Sequence, residues 1–367
     1  MSRTFKAFSM NPKVQFPTQF PGATDGTSRR PRSQPPHPWM GPWFLPLSAF
    51  WYAVLATRHA LYDWGVLRSE RSPIPTLVVG NMELGGTGKT PHIMDLAQRL
   101  EARLGEGCVA ILSRGYGRLS PASFAWVADA KGWAEVGDEP WMMQAKAPSI
   151  PVAVCADRLA GLRRMHHERP ELKVVLLDDG LQHRALRPHT SLALASRPVP
   201  RLGMGCVVPA GPWRDIPKRL LQVDAVVATQ QGASLGPPKR TLGATKVVLE
   251  PLKRVYGTQP EVGPALLVTG IANPERLVQS LGDHEVAGVA HYPDHHAFAE
   301  RDVIAWRQWG ETQGIRHLLV CSKDAVRLEP LLNLLTGWTC WEAPMSLRWD
   351  NEARLNAWLD SWVRSLP

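Results

Sequence analysis

The chain has 367 residues, of which 44% are hydrophobic, so it is long enough for two domains and too apolar for wholesale disorder. Lys and Arg number 42 against 33 Asp and Glu, and the formal charge of +9 favours anionic partners such as phosphates, nucleic acid or an acidic membrane surface. The five cysteines are scattered without a Cys-x-x-Cys pair. That spacing argues against a disulfide framework or a zinc site and fits a reducing compartment.

Residues 1–38 are predicted to be a disordered tail. Ser, Thr, Pro, Gly and Arg dominate this segment, and such a composition cannot bury enough apolar area to offset the chain entropy lost on folding. No apolar core followed by a small-residue cleavage site occurs near its start, so the segment lacks the pattern of a secretory signal peptide.

Residues 39–68 are predicted to form an N-terminal membrane-anchoring helix. Pro42–Ala56 carries no charge and is rich in aromatic residues, and Arg58 and His59 follow it. This apolar stretch would rise about 22 Å as a helix, short of the ~30 Å hydrocarbon core of a bilayer. The pattern therefore favours an anchor in the membrane interface. A helix buried in the soluble core is the alternative, and a full span is the least favoured.

Residues 69–245 alternate short β-rich runs with helical patterns, which predicts an α/β domain built on a parallel sheet. The predicted buried strands are Thr76–Val79, Val109–Leu112, Val174–Leu177, Leu192–Ala195 and Ala225–Ala228. Between the first two strands, Ile93, Ala97, Leu100 and Leu104 share one face of a predicted helix.

A second α/β series predicts a smaller C-terminal domain over residues 246–367. It contains the strand-like runs Ala265–Thr269 and His317–Cys321, with a helix through Arg276–Leu281. The boundary is placed near residues 240–263, where Lys246–Lys253 is predicted to form a connecting strand and hinge.

The strongest local signal is a glycine-rich loop between a strand and a helix. The run from Gly85 to Thr90 reads Gly-Gly-Thr-Gly-Lys-Thr. Backbone N–H groups of such a loop, with the following helix N-terminus, cradle phosphate oxygens. Lys89 would reach the β- and γ-phosphates, and the Thr90 hydroxyl would ligate Mg²⁺. The pattern predicts a P-loop NTPase-like fold, although Glu83 stands where the eight-residue motif has its first glycine.

Two carboxylates follow another predicted buried strand. Asp178 and Asp179 come directly after Val174–Leu177, the arrangement in which nucleotide-binding proteins hold a metal directly or through water. The guanine-specific Asn-Lys-x-Asp pattern is absent, and Ser322–Asp324 is only superficially similar to it, so ATP is favoured over GTP.

Several further loops carry groups that could act on a phosphate acceptor. They are Ser113–Arg118, Gly137–Pro140, Asp157–Arg158, Pro209–Asp215 and His291–His296. Phosphoryl transfer to a hydroxyl needs a base and cations that neutralise developing charge. The histidine group could also be a metal cluster, but no cysteine accompanies it, and a base paired with a nearby carboxylate fits it equally well.

Taken together and in this order, these stretches resemble the tetraacyldisaccharide 4′-kinases of lipid A biosynthesis. The resemblance rests on Gly80–Asn81, Gly85–Pro91, Ser113–Arg118, Gly137–Pro140, Leu177–Arg184, Pro209–Arg214, Gly270–Pro274, Pro293–Phe298 and Lys323–Leu328. It covers about residues 42–330 and includes the predicted anchor. It implies two α/β/α domains with a β-stranded hinge, at the cytoplasmic face of the bacterial inner membrane. It also implies phosphorylation of the 4′-hydroxyl of a tetraacylated glucosamine disaccharide 1-phosphate, with ATP and Mg²⁺.

The resemblance also implies roles for individual residues. ATP would be bound by Gly85, Gly86, Thr87, Gly88, Lys89 and Thr90, and the metal by Thr90, Asp178 and Asp179. Asp138 matches the catalytic base, assisted by His295 or, if the alignment shifts by one position, by His296, with Lys89 also catalytic. The substrate-binding positions are Arg114, Tyr116, Arg158, Gln182, Arg214 and Asp215.

Some positions depart from the family pattern. Glu83 stands where a small hydroxyl residue is usual, so its carboxylate is expected to point away from the phosphates. The other departures are Leu181, Trp213, Asp215 and Cys321–Ser322.

The expected partners are the glycolipid substrate and inner-membrane lipids, and the chain is expected to be a monomer. Nucleic acid is not expected, because the basic residues are dispersed and show no aromatic-interleaved stripe. The alternative function is a membrane-recruited P-loop ATPase that lacks a lipid acceptor and has no need of Asp138.

Overall fold

The structure, a computed structural model, describes residues 42–84, 87–196, 207–229, 241–271 and 274–366. The predicted tail 1–38, Gly85 and Gly86 lie outside the described residues. The chain divides into two compact units. One, here the N-terminal unit, comprises described residues of 32–248 together with 346–366, and the other, the C-terminal unit, comprises 249–345.

The N-terminal unit alternates helices with strands. Its helices are α1 (Leu45–Asp63), α2 (Lys89–Leu104), α3 (Trp133–Val136), α4 (Asp138–Lys146), α5 (Arg158–Glu168) and, from the end of the chain, α9 (Glu352–Arg364). Its strands are β1 (Glu70–Arg71), β2 (Thr76–Asn81), β3 (Val109–Ser113), β4 (Phe124–Trp126), β5 (Val152–Cys155), β6 (Val174–Asp178), β7 (Leu186–Arg187), β8 (Thr190–Ala195) and β9 (Ala225–Ala228). Strands β10 (Thr241–Leu249) and β16 (Met345–Trp349) carry the chain into the C-terminal unit and back.

One large sheet runs through the N-terminal unit in the order β16-β10-β9-β8-β2-β6-β3-β5-β4. From β10 to β5 neighbouring strands are parallel, and β4 pairs antiparallel with β5. The prediction of an α/β fold on a parallel sheet is therefore confirmed. Parallel strands bring their carboxyl ends to the same edge, so the residues that follow β2, β3, β5 and β6 meet there.

Both faces of this sheet are covered, which explains the continuous apolar runs. On β2, Leu77 and Val79 join a core cluster with Leu96 and Leu100 of α2, whereas Val78 faces the other way and packs with Leu162 of α5. Strand side chains alternate between the two faces, so one short apolar strand contributes to two cores.

The last helix belongs to a different unit from the one expected. Residues 346–367 were assigned to the C-terminal domain, but α9 packs with the N-terminal unit. Leu355 and Leu359 are fully buried in the same core cluster as Leu96 and Leu100. Since β16 returns the chain beside β10, the apolar face of α9 lies next to the larger core.

The C-terminal unit has its own sheet, in the order β11-β15-β14-β12-β13. Its strands are β11 (Lys253–Tyr256), β12 (Ala265–Thr269), β13 (Val286–His291), β14 (His317–Cys321) and β15 (Thr339–Ala343). Its helices are α6 (Pro274–Ser280), α7 (Glu300–Gln313) and α8 (Ser322–Leu328). The strands pair in parallel except β11, which is antiparallel to β15.

Helix α1 occupies most of the segment predicted as an anchor. It packs on the N-terminal unit through Ser48, Leu55 and His59, which are buried. The large apolar side chains that remain exposed on or beside it are Trp43, Leu45, Leu47, Phe50, Trp51, Val54 and Trp64. Among the described residues, no helix combines the length and the apolar character needed to cross a membrane.

Candidate functional site

The helix that follows the glycine-rich loop begins at Lys89, directly after the carboxyl edge of the sheet. The Lys89 Nζ lies 3.4 Å from the Oδ1 of Asn81 and 3.5 Å from the Oδ2 of Asp179. The ammonium group is therefore held at the point where three segments meet, and it stays partly exposed. Thr90 is the second residue of α2, where the positive end of the helix dipole attracts anions.

Asp178 ends β6 and is buried. Its Oδ2 accepts a hydrogen bond from the Ser113 hydroxyl at 3.0 Å. Its Oδ1 is buried and has no hydrogen-bond partner among the described residues. Burial, together with the charge of Glu139, raises the pKa of Asp178 to about 6 against the opposing charge of Lys89. A buried carboxylate oxygen without a donor suits a cation.

Asp179 adopts a left-handed backbone conformation, with φ at +52°. Its two carboxylate oxygens each accept a hydrogen bond from one terminal nitrogen of Arg214, and the bond from Nη1 is 2.9 Å long. Burial raises the pKa of Asp179, but the Arg214 hydrogen bond and the charge of Lys89 more than offset it and hold the pKa below its usual range. The two neighbouring aspartates thus differ: Asp179 is ionised and neutralised, while Asp178 takes up a proton more readily.

Asn81 joins these groups, and no role was predicted for it. Its buried side-chain Oδ1 accepts from both Lys89 and Arg214. Its backbone oxygen accepts from Arg214 at 2.9 Å and from the Gln182 amide at 2.8 Å. A polar side chain at the carboxyl end of an apolar strand is the signal that could have identified it.

Arg158 and Asp215, expected as substrate contacts, are buried instead. Arg158 is 3% exposed and donates to the backbone oxygens of Cys155 (2.6 Å) and Asp178 (3.0 Å). Asp215 is 1% exposed and accepts from the His59 Nε2 at 2.7 Å. Both side chains therefore fix the segments that carry exposed groups. The sequence could not have predicted their burial, because it does not distinguish a charged residue that is buried from one that lines a cleft.

Asp138 begins α4 beside the loop that follows β3. A Cβ on the preceding Gly137 would lie 3.0 Å from the backbone oxygen of Tyr116, so this turn and that loop pack closely. The Asp138 Oδ1 accepts from the amide of Glu139 at 2.9 Å, and the charge of Glu139 acts on Asp178. These relations place Asp138 at the same edge of the sheet as the aspartate pair.

Two predicted residues of the β3 loop face solvent. Arg114 is exposed, and Tyr116 is 75% exposed. Unlike Arg158, they are accessible to a ligand arriving at this edge.

The predicted histidine lies in the C-terminal unit. His295 adopts a left-handed conformation with φ at +60°, and its ring is 32% exposed. His296, the alternative, is 17% exposed, bonds to Asp302 Oδ2 at 3.1 Å and stacks on Tyr292 at 4.5 Å. His296 thus packs against other side chains of the C-terminal unit, and His295 is the more accessible of the two.

Two departures from the family pattern have local explanations. Glu83 is buried and accepts from the backbone amide and hydroxyl of Ser196. Its carboxylate therefore points toward the residue that follows β8. Trp213 is buried in a core cluster with Leu55 of α1.

No group of three or more His, Cys, Asp and Glu suited to a metal occurs in the described part of the chain. Nevertheless, the Asp178 oxygen without a donor and the half-buried Asp179 fit a cation that takes further oxygens from a phosphate ligand. With Lys89 and Arg214 beside them, these groups can bind a polyphosphate and neutralise the charge of a phosphoryl group in transit.

Known proteins are similar to this chain over most of its length. The model of a family described as tetraacyldisaccharide-1-P 4′-kinase matches residues 40–364. A tetraacyldisaccharide 4′-kinase of Cytophaga hutchinsonii is 33% identical over 333 residues, 85% of this chain and 93% of the relative. One from Chromobacterium violaceum is 33% identical over 310 residues, 81% and 87%.

A solved structure is similar as well. It is the crystal structure of LpxK from Aquifex aeolicus in complex with ATP, which superposes with a TM-score of 0.67 at 26% identity. The match covers 88% of this chain and 98% of that one.

Proposed function

The chain belongs to the tetraacyldisaccharide 4′-kinase family, and from that premise we propose how its own residues carry out the phosphoryl transfer. As a member of this family it is a transferase of lipid A biosynthesis that acts on a glycolipid. The observation that supports the proposal is the convergence of Lys89, Asp178, Asp179 and Arg214 at the carboxyl edge of one parallel sheet.

We propose ATP as the phosphoryl donor. The Aquifex aeolicus relative is in complex with ATP, and this chain places Lys89 at the start of the helix after the glycine-rich loop. Gly85–Thr90 would hold the triphosphate, and Lys89 and Arg214 would neutralise charge on the transferred group. Asn81 orients both cations, since each bonds to its Oδ1.

We propose Mg²⁺ as the metal, held by Asp178, Asp179 and the Thr90 hydroxyl. When bound, Mg²⁺ would neutralise phosphate charge and orient the oxygens of the donor. Arg158 would position the metal ligand Asp178 indirectly, because its hydrogen bond to the backbone oxygen of Asp178 fixes the end of β6.

Asp138 is proposed as the base. As the 4′-hydroxyl oxygen forms its bond to the γ-phosphorus and the bond to ADP breaks, the hydroxyl proton passes to the Asp138 carboxylate. His295 is proposed, on the resemblance, as the histidine that assists this base. Arg114, Tyr116 and Gln182 are proposed to contact the acceptor, and Arg158 and Asp215 to position the residues that do.

The glycolipid is proposed to arrive from the cytoplasmic face of the inner membrane. The exposed apolar side chains of α1, among them Leu47, Phe50 and Trp51, suit insertion into the membrane interface. The acyl chains would stay in the bilayer while the sugar enters the site. The protein is proposed to act as a monomer.

The decisive experiment follows labelled γ-phosphate from ATP onto a detergent-solubilised tetraacyldisaccharide 1-phosphate. We expect Lys89→Ala and Asp138→Ala each to reduce transfer by at least about a hundredfold. Lys173→Ala is the matched control, because this lysine precedes β6 at the opposite end of the strand from Asp178, and it is expected to retain transfer.

The results also separate the kinase from the alternative ATPase. Transfer within a few-fold of wild type in Asp138→Ala would exclude Asp138 as the base, and unchanged transfer in Lys89→Ala would exclude the loop as the triphosphate site. If the wild-type protein hydrolyses ATP but transfers no label to the glycolipid, the result would favour the ATPase.

A further inference from the structure

A fully buried ion pair occupies the C-terminal unit beside the loop that carries His295. Arg327 donates from Nη2 to Asp324 Oδ1 at 2.6 Å, and neither side chain is exposed. Removing two charges from water costs free energy that their attraction repays only when further hydrogen bonds satisfy both groups. The groups that complete these bonds therefore indicate what the pair holds in place.

Asp324 binds the end of β12. Its Oδ1 accepts from the amide of Gly270 at 3.0 Å, and its Oδ2 accepts from the Thr269 hydroxyl at 3.0 Å and from the Cys321 thiol at 2.8 Å. The carboxylate thus fixes the turn that follows β12 to the start of α8.

Arg327 extends this connection to the loop 293–298, here the histidine loop. It donates to the backbone oxygen of Gly270 at 3.0 Å and to that of His296 at 3.3 Å. The same Gly270 oxygen accepts from the amide of His295 at 3.2 Å. A Cβ on Gly270 would lie 3.1 Å from the Pro293 oxygen, so the turn and the histidine loop are in close contact.

The histidine loop is therefore held on both sides of His295. His296 is fixed through its backbone by Arg327 and through its ring by Asp302 and Tyr292. His295 itself has a left-handed φ of +60°, a conformation that costs a non-glycine residue on the order of 1 kcal/mol and persists where the surroundings impose it.

We propose that the Asp324–Arg327 pair is a positioning device that sets the direction of the His295 ring. The inference rests on the proposed assistance of His295 in the phosphoryl transfer. It gives one shared role to Gly270 and to the stretches Pro293–Phe298 and Lys323–Leu328, which meet at this pair. Neither member of the pair touches the reacting atoms, and each acts through the histidine loop.

The test is a double-mutant cycle between Arg327→Lys and His295→Gln, with kcat and the KM for ATP measured for glycolipid phosphorylation. Lysine keeps the charge but has a single nitrogen, so it lacks the Nη1 group that reaches the His296 oxygen while Nη2 binds Asp324. We expect Arg327→Lys to lower kcat about tenfold in the wild-type background, with the KM for ATP unchanged, and by less than about twofold in the His295→Gln background. Arg307→Lys is the matched control, because Arg307 donates to the Leu334 oxygen in the same unit, and it should leave kcat unchanged.

Each other outcome has a definite meaning. Equal losses of kcat from Arg327→Lys in both backgrounds would overturn the positioning role. If His295→Gln leaves kcat at the wild-type value, the proposed assistance by His295 is wrong, and the positioning role falls with it while Asp138 as base still stands. Should Arg327→Lys fail to fold, the isosteric Asp324→Asn enters the same cycle and is judged by the same criterion.

Discussion

The Nε2 of His59 on α1 donates to the Asp215 Oδ1 over 2.7 Å, with both side chains buried. The Nδ1 of the same ring lies 3.4 Å from an Arg184 guanidinium nitrogen, so it accepts and the ring is the Nε2–H tautomer. Asp215 directly follows Arg214, which binds Asp179. The helix with the exposed apolar face is thus hydrogen-bonded directly to the residue that follows Arg214, the cation of the site.

Breaking this joint should affect both stability and activity. His59→Ala leaves the Asp215 carboxylate buried without its partner, and we expect it to lower the free energy of unfolding by about 3 kcal/mol and kcat about tenfold. Urea unfolding and glycolipid phosphorylation measure the two effects. Asp63→Ala is the control: it removes the half-exposed Asp63, which lies on the same helix and pairs with Arg184, and should cost less than about 1 kcal/mol. Equal losses in the two variants would contradict the coupling.

His92 should make stability depend on pH. Its Nδ1 donates to the Gly88 oxygen at 2.7 Å, and its Nε2 lies 2.9 Å from the Thr245 hydroxyl. Burial lowers its pKa from 6.5 to about 4. The unfolded chain therefore takes up a proton below about pH 6.5 that the folded protein refuses until about pH 4, and the stability present above the unfolded pKa is lost as pH falls through this window.

The expected loss is about 2 kcal/mol on going from about pH 7.5 to about pH 5. Urea unfolding at these two pH values is compared between the wild type and His92→Gln, which cannot titrate. A pH dependence of the same size in both proteins would show that His92 is not its source.

Gly80 and Leu181 should be coupled. A Cβ on Gly80 would lie 2.8 Å from the Leu181 Cγ, so Gly80→Ala is expected to cost about 1–3 kcal/mol. The double variant Gly80→Ala with Leu181→Ala should recover part of that loss, because the second change removes the clashing atoms. Gly132→Ala, where a Cβ meets nothing within 4 Å, serves as the control in thermal unfolding. No recovery in the double variant would mean that Leu181 is not the obstacle.

The C-terminal helix should stabilise the N-terminal unit. Leu359 is fully buried in the core cluster with Leu96 and Leu100, and Leu359→Ala is expected to cost about 2–5 kcal/mol. Arg354→Ala, on the exposed side of the same helix, should change stability by less than about 0.5 kcal/mol. Urea unfolding followed by fluorescence compares the two, and similar losses would contradict the packing of α9.

Most strands of the large sheet could be predicted, because a buried parallel strand occurs in the sequence as a short run of apolar residues. The run predicted as Val174–Leu177 is β6, Val174–Asp178, and Ala225–Ala228 is β9 without change. The unit to which α9 belongs could not be predicted, since an apolar helix face pairs equally well with either core until β16 fixes where the chain returns.

The candidate site was predictable where chemistry is local. Lys89 and the Asp178–Asp179 pair follow buried strands, and the structure brings them together. Asn81 and His59 were missed, because their partners lie at least eight residues away in the chain, in segments with no recognisable spacing to them.

By itself the sequence determined the α/β class, the glycine-rich loop and the carboxylates at strand ends, because each follows from residue type and from a period of two or 3.6 along the chain. Tertiary structure alone decided which charges are exposed and which are buried: it placed Arg158 and Asp215 behind the surface and left Arg114 and Tyr116 on it. The physical reason is that burial and pairing depend on segments distant in the chain, and a charged residue carries no local mark of the partner that neutralises it.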